Sequence, residues 1–196
     1  MNFVAFGHGI ALIAVDCQND FADPRGSLYV KGGEEVVAAV SGAVVDATES
    51  GTLVFYTQDW HPEVTPHFQK DGGIWPVHCV GGTWGAELHP NLAVNGPVVR
   101  KGSSGEDGYS GFTMRDPVSG KETATELGGF LKAAEIRKVV VAGLALDYCV
   151  KATALDAVAL GFETVMPLAW TAAVNLQPHD GEAAVAELRK AGVEIL

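Results

Sequence analysis

Apolar residues in this chain fall into short unbroken blocks separated by longer amphipathic stretches. Residues 10–15 read IALIAV with no polar break. A run apolar on both faces suits a strand in the middle of a parallel sheet that is covered on both sides. Gly32 and Gly33 open an Ala- and Val-rich stretch that predicts a helix through about Thr48, ended at Gly51. TLVFYT, residues 52–57, predicts the second strand and completes a first βαβ unit. Further strands are expected at 98–101, 139–142 and 163–166, with VEIL as a terminal strand. Helices are expected over 123–134, where Gly128 and Gly129 weaken the pattern, over 147–160, stopped by Gly161, and over 180–190.

Strands alternating with helices predict an α/β fold, three layers α/β/α around a central, mostly parallel sheet. There is no repeat, linker or low-complexity tract, so one domain is expected over 1–196. Two stretches break the alternation. Residues 59–97 are irregular and rich in Gly, Pro, His and Trp, and a Gly-rich loop runs from 102 to 120. Loops this long are unusual in a compact domain and commonly functional. Ligands of open parallel sheets bind beyond the carboxyl ends of the strands. Asp16, Asp59, Lys101 and the segment leading to Cys149 all fall there.

Composition narrows the partners. The 196 residues are 47% hydrophobic, enough for a full core, and carry a formal net charge of −11. That charge disfavours nucleic acid and anionic membrane surfaces, and the thirteen Lys and Arg form no cluster. No run approaches a membrane span. A small-molecule substrate is the expected partner, and a homo-oligomer is compatible with the sequence. The apolar first fifteen residues lack a basic start and a cleavage site, and run straight into Asp16. They read as a lead-in and a buried strand. Three scattered cysteines leave at least one free thiol, which suits a reducing, cytoplasmic setting.

Candidate chemistry is concentrated at the expected strand ends. Asp16 follows a buried strand, where a carboxylate is costly without a partner, so it is either a turn residue or functional. Cys149, in GLALDYCV, is expected in the first turn of a helix, where orphan N–H groups and the helix dipole lower a thiol pKa. It is a candidate nucleophile, or else a small buried hydrophobe. Cys17 and Cys79 have weaker cases. Lys101 could supply an ammonium beside Asp16 and Cys149; Arg100 is its rival, because alternation puts only one of the two on a given face. DWHPEVTPHF and WPVHC place Asp59, His61, His67 and His78 within twenty positions. One carboxylate and three imidazoles suit a divalent ion, Zn, Fe or Mn, rather than four unrelated polar loop residues. His8, His89 and His179 lack such company. Phe21, Trp60, Trp75 and Trp84 could stack a flat aromatic substrate or simply pack.

Taken together, VDCQNDF (15–21), DWHP (59–62), WPVHCVGGTWGAELHP (75–90), YSGF (109–112) and GLALDYCV (143–150) resemble the nicotinamidase/pyrazinamidase group of the isochorismatase-like cysteine hydrolases. The resemblance covers nearly the whole chain. It implies a Rossmann-like, isochorismatase-like hydrolase fold and metal-dependent hydrolysis of nicotinamide to nicotinate and ammonia, with pyrazinamide as a further substrate. By that resemblance Cys149 is the nucleophile, Asp16 the general base and Lys101 the third member of the triad. Asp59, His61 and His78 hold the metal, with His67 as an additional ligand found in one type of pyrazinamidase. Phe21 and Trp75 clamp the ring, Tyr109 joins them, and the amides of Ala145 and Cys149 receive the oxyanion beside a cis peptide between Leu144 and Ala145. Tyr148 departs from the histidine that related enzymes often carry. Members acting on isochorismate or carbamoylated amines lack the full metal set. Three other readings are an amidohydrolase of another substrate, a silent pyridine-binding protein and a structural metal domain. The intact Asp16, Lys101, Cys149 set argues against the last two.

Overall fold

The computed structural model describes residues 4–196; residues 1–3 of the expected lead-in lie outside them. Strand β1 (Ile10–Val15) lies at the centre of a parallel sheet. On one side it pairs with β2 (Leu53–Asp59), which pairs with β3 (Val98–Lys101). On the other side it pairs with β6 (Lys138–Leu144), followed by β7 (Glu163–Met166) and β9 (Glu194–Ile195), while the short β8 (Thr171–Ala172) pairs with the end of β6. Every pairing in this sheet is parallel.

Alternation along β1 explains the three layers. Leu12 and Ala14 point into one core cluster with Val36, Val37, Val40 and Val44 of α2 (Gly33–Glu49). Ala11, Ile13 and Val15 point into the other, shared with Leu127 and Leu131 of α3 (Leu127–Ala133), Ala154 and Ala157 of α4 (Lys151–Ala159) and Leu188 of α5 (Asp180–Ala191). Each face of the strand is therefore buried by helix, which its unbroken apolar sequence requires.

The strand order reverses direction between β1 and β6, so the chain leaves these neighbours on opposite sides and opens a crevice at their carboxyl ends. Val15 is in register with Gly143 there. Gly143 has φ of 120°, and a Cβ on it would strike the Val15 carbonyl oxygen. A side chain at that position would push the two strands apart.

Two expectations need correction. The helix expected over 123–134 begins only at Leu127, because Glu122–Ala124 form strand β5, paired antiparallel with β4 (Thr113–Arg115) in a separate hairpin. Thr125 ends the hairpin: its hydroxyl donates to the Gly111 carbonyl and accepts from the Leu127 amide. The helix expected over 147–160 opens instead with a wide π turn at Leu146–Val150 before α4. Residues 59–97 are irregular as expected, with two three-residue 3-10 turns, and a short helix α1 (Asn19–Ala22) follows β1. Among the described residues no helix is long and apolar enough to cross a membrane.

Candidate active site

Asp16 directly follows β1, Lys101 ends β3, and β6 leads through the π turn to Cys149, so three strand ends deliver three side chains to one point. Lys101 and Asp16 are completely buried. The Lys101 ammonium lies 2.7 Å from Asp16 Oδ2 and 3.7 Å from Cys149 Sγ, and also donates to the Asp59 carboxylate and the Gly108 carbonyl. Asp16, Asp59 and Cys149 offer atoms all within 4.8 Å of one another. Arg100 points to the opposite side, its guanidinium 3.7 Å from the Trp60 ring. Strand alternation thus selects Lys101 for the interior. Asp16 has φ of 45°, outside the strand region. Its Oδ1 accepts from the Thr57 hydroxyl at 2.6 Å.

Burial sets the proton affinities. It raises the Asp16 carboxyl from the ordinary 3.8 to about 6, with the nearby Lys101 ammonium opposing and Asp59 adding to the rise. Burial also pushes the Cys149 thiol well above its usual value, with Lys101 opposing. This corrects the lowered thiol expected from a helix start: burial outweighs the local turn, and the thiol requires a neighbouring base. Cys17 and Cys79 are likewise buried and raised, and neither lines the cavity. Lys101 is held charged: burial disfavours its ammonium, but Asp16 and Asp59 together outweigh it.

A second cluster stands beside the first. His61, His67 and His78 each offer a ring nitrogen, and these nitrogens lie within 4.8 Å of one another. Asp59 Oδ2 lies 3.7 Å from His61 Nε2 and 3.9 Å from His78 Nε2. Burial works against ionising Asp59, yet Lys101 and His61 hold its carboxyl far below the usual range. Burial lowers His78 to about 4, so its imidazole is neutral near pH 7. His78 Nδ1 donates to the Pro76 carbonyl at 2.8 Å and His67 Nδ1 to Asp107 at 2.7 Å, leaving both Nε2 lone pairs free. Both ring nitrogens of His61 are buried without a partner. Three imidazoles with ring nitrogens close together beside a carboxylate, two of them with Nε2 left free, make a donor set that fits a divalent ion.

The cavity above both clusters holds about 410 Å³ of space between atoms, open mouth included. Phe21, Trp75, Tyr109, Tyr148, Ala145 and Val174 line it, together with Cys149, Asp59, His67 and His78. Trp75 Nε1 donates to the Tyr109 hydroxyl at 2.8 Å, and the Tyr148 ring meets Trp75 edge-on, centroids 4.8 Å apart. The site is thus an aromatic-walled cavity lined by both a thiol and imidazoles.

Several sequence candidates lie elsewhere. Leu144 is fully buried and does not line the cavity, although its peptide to Ala145 is cis. Trp60 is covered by Arg100, and Trp84 lies beneath Arg25. His8 and His179 are exposed, and His89 is buried away from the imidazole cluster. Thr57, Asp107 and Gly108 carry no sequence signal of function, although Gly108 lines the cavity, Thr57 holds Asp16 and Asp107 holds His67.

The isochorismatase domain model matches residues 10–196. The nicotinamidase/pyrazinamidase of Mycobacterium tuberculosis is 38% identical over 191 residues, covering 95% of this chain and 97% of its own. Of solved structures, PnC1 of L. infantum in complex with nicotinate superposes with TM-score 0.88 at 39% identity, over 99% of this chain and 96% of that one. The pyrazinamidase of Pyrococcus horikoshii in complex with zinc superposes with TM-score 0.85 at 35% identity, over 96% and 98%. With these likenesses covering both fold and site, the chain belongs to the isochorismatase family of cysteine hydrolases, near its nicotinamidase/pyrazinamidase members.

Proposed function

We propose that the chain hydrolyses nicotinamide to nicotinate and ammonia through a thioester on Cys149, and accepts pyrazinamide by the same route. The observation that carries this reading is the cavity itself: aromatic walls shared by a thiol with its own buried base and by a cluster of imidazoles. A planar ring carrying a carboxamide on one side and a lone-pair nitrogen on the other matches both. The relatives named for nicotinamide or pyrazinamide chemistry, over nearly their whole length, support the same substrate class.

Phe21, Trp75 and Tyr109 flank the ring. Asp16 removes the thiol proton as sulfur bonds to the carbonyl carbon, and the backbone at Ala145 and Cys149 faces the oxyanion. As the C–N bond breaks, Asp16 returns that proton to the leaving nitrogen, releasing ammonia. Water then attacks the thioester, Asp16 takes its proton, the C–S bond breaks, and the thiol is restored. Lys101 keeps the buried charges of Asp16 and Asp59 compensated throughout. Asp59, His61, His67 and His78 would hold the divalent ion, zinc, iron or manganese. When bound, that ion supplies a Lewis-acidic anchor for the ring nitrogen. The whole chain, 1–196, serves as one catalytic domain, and the three unpaired cysteines accord with a cytoplasmic location.

Ammonia release from nicotinamide, pyrazinamide and benzamide by zinc-, iron- or manganese-loaded protein tests the reading. Benzamide has the same shape but no ring nitrogen. A carboxamide misplaced by about 1 Å loses roughly a hundredfold in rate, so benzamide should fall at least that far behind. Equal turnover of benzamide would reassign the imidazole cluster to a purely structural role, and no turnover of any of the three would refute the function.

A further inference from the structure

Near His67 the segment carrying His61, His67 and His78 offers only a three-residue 3-10 turn and isolated bridges, yet the His67 ring is packed and oriented. It stacks on His61 with centroids 4.7 Å apart and lies 5.5 Å from His78. Among the described residues, the one hydrogen bond to the ring comes from a different loop. Asp107 Oδ1 accepts from His67 Nδ1 at 2.7 Å across forty residues of sequence. A carboxylate can only accept, so Nδ1 carries the hydrogen and Nε2 keeps its lone pair. Among the described residues His67 is also the only ion-pair partner of Asp107.

Asp107 is itself held in place. Its backbone pairs with Arg115 in both directions, at 2.7 and 3.0 Å, beside the β4–β5 hairpin. The next two residues grip other parts of the site: the Gly108 carbonyl accepts from Lys101, and the Tyr109 hydroxyl accepts from Trp75. Three consecutive residues thus brace an imidazole, the buried ammonium and an aromatic wall. The Asp107 side chain is 27% exposed, so core packing is not what places it there.

We propose that Asp107 is a positioning residue for the metal site, locking His67 in the tautomer and orientation that make its Nε2 a ligand; this rests on the metal-dependent reading above. A histidine ligand held by a carboxylate at its second nitrogen is both oriented and made more basic, and loss of such a partner commonly weakens metal binding about ten- to hundredfold.

Zinc affinity, measured by competition with a chromophoric chelator, is the test, on wild type and on D107A, D107N, H67A and the H67A/D107A pair. D107A should weaken zinc binding about ten- to hundredfold, and D107N by less, since its amide oxygen can still accept but carries no charge. In the H67A background, D107A should have no further effect, because Asp107 acts through that ring. Circular dichroism and melting of the zinc-free proteins report folding, and the near-isosteric D107N keeps the comparison decisive if the alanine variant does not fold. Wild-type zinc affinity in both D107A and D107N would overturn the proposal. So would an undiminished effect of D107A in H67A. Wild-type protein that hydrolyses nicotinamide yet binds no zinc, iron or manganese would overturn both this proposal and the metal assignment. Zinc binding that responds to D107A as stated, in a protein inactive on every amide, would support the proposal while refuting the substrate reading.

Discussion

The two clusters beneath the cavity are neighbours built in different ways. Asp16 and Lys101 stand at strand ends, and Cys149 follows the end of β6, so the sheet's own hydrogen bonds fix where each backbone emerges. His61, His67 and His78 stand on a segment whose regular pieces are only three residues long, and separate polar braces must hold it. Three consecutive residues after β1 supply much of that bracing. The Gln18 amide donates to the carbonyls of Asp59 and Ala86, Asn19 donates to Trp84, and Asp20 accepts from the Cys79 amide. A sheet positions reacting groups through its ladder, whereas a loop that gathers ligands needs a dedicated partner for almost every turn. Lys101 is where the two constructions meet, since its ammonium contacts both Asp16 and Asp59.

The largest expected effect separates the two clusters. Cys149→Ala removes the proposed nucleophile and should lower amide hydrolysis by on the order of 10⁴-fold or more. Metal content, measured by elemental analysis, should stay at the wild-type level, because Cys149 is not among the clustered imidazoles and its removal leaves the loop braces intact. Loss of metal together with activity would mean that the clusters are not separable. Retained activity would move the chemistry to another group.

Lys101→Met should damage both clusters at once. It leaves the Asp16 and Asp59 carboxylates buried without their shared cation. Removing one partner of a buried ion pair typically costs about 3–5 kcal/mol. Urea unfolding should register a loss of that size, with metal binding and hydrolysis impaired together. A loss below about 1 kcal/mol, the scale of an exposed pair, would show that solvent reaches the cluster.

The same contrast governs what sequence alone could reveal. β1 was legible because IALIAV has no polar break, and the strand ends followed from it. The choice between Lys101 and Arg100 needed the sheet: alternation says that one faces inward, but only the pairing of Asp59 with Lys101 in register says which. The cluster of Asp59, His61, His67 and His78 was visible as a local density of ligand types. Its braces were not. Gln18 reaches Asp59 across 41 residues and Asp107 reaches His67 across 40, and neither leaves a periodic trace. The hairpin at 113–124 leaves no trace in the sequence because three-residue strands are too short to show alternation, and Thr and Glu there fit a helix start equally well.

The smallest expected effect is a pH dependence that belongs to the sheet-borne cluster alone. The base must be ionised to take the thiol proton, and burial raises Asp16 to about 6. Activity at saturating metal should therefore fall about tenfold per pH unit below about 6. The stability contribution of the same group has the opposite sign. A carboxyl raised on folding favours the protonated native state, so its contribution is fully present below the unfolded value of about 3.9 and is lost as pH rises through about 6. Between those limits acidification should make wild type more stable relative to Asp16→Asn while making it slower. Rate profiles at several zinc concentrations, alongside urea unfolding of both proteins, distinguish the sources. An acid limb that holds its position as zinc is varied belongs to Asp16. A limb that shifts with zinc concentration reports protons competing for the imidazoles, and would place the pH control in the loop instead of the sheet.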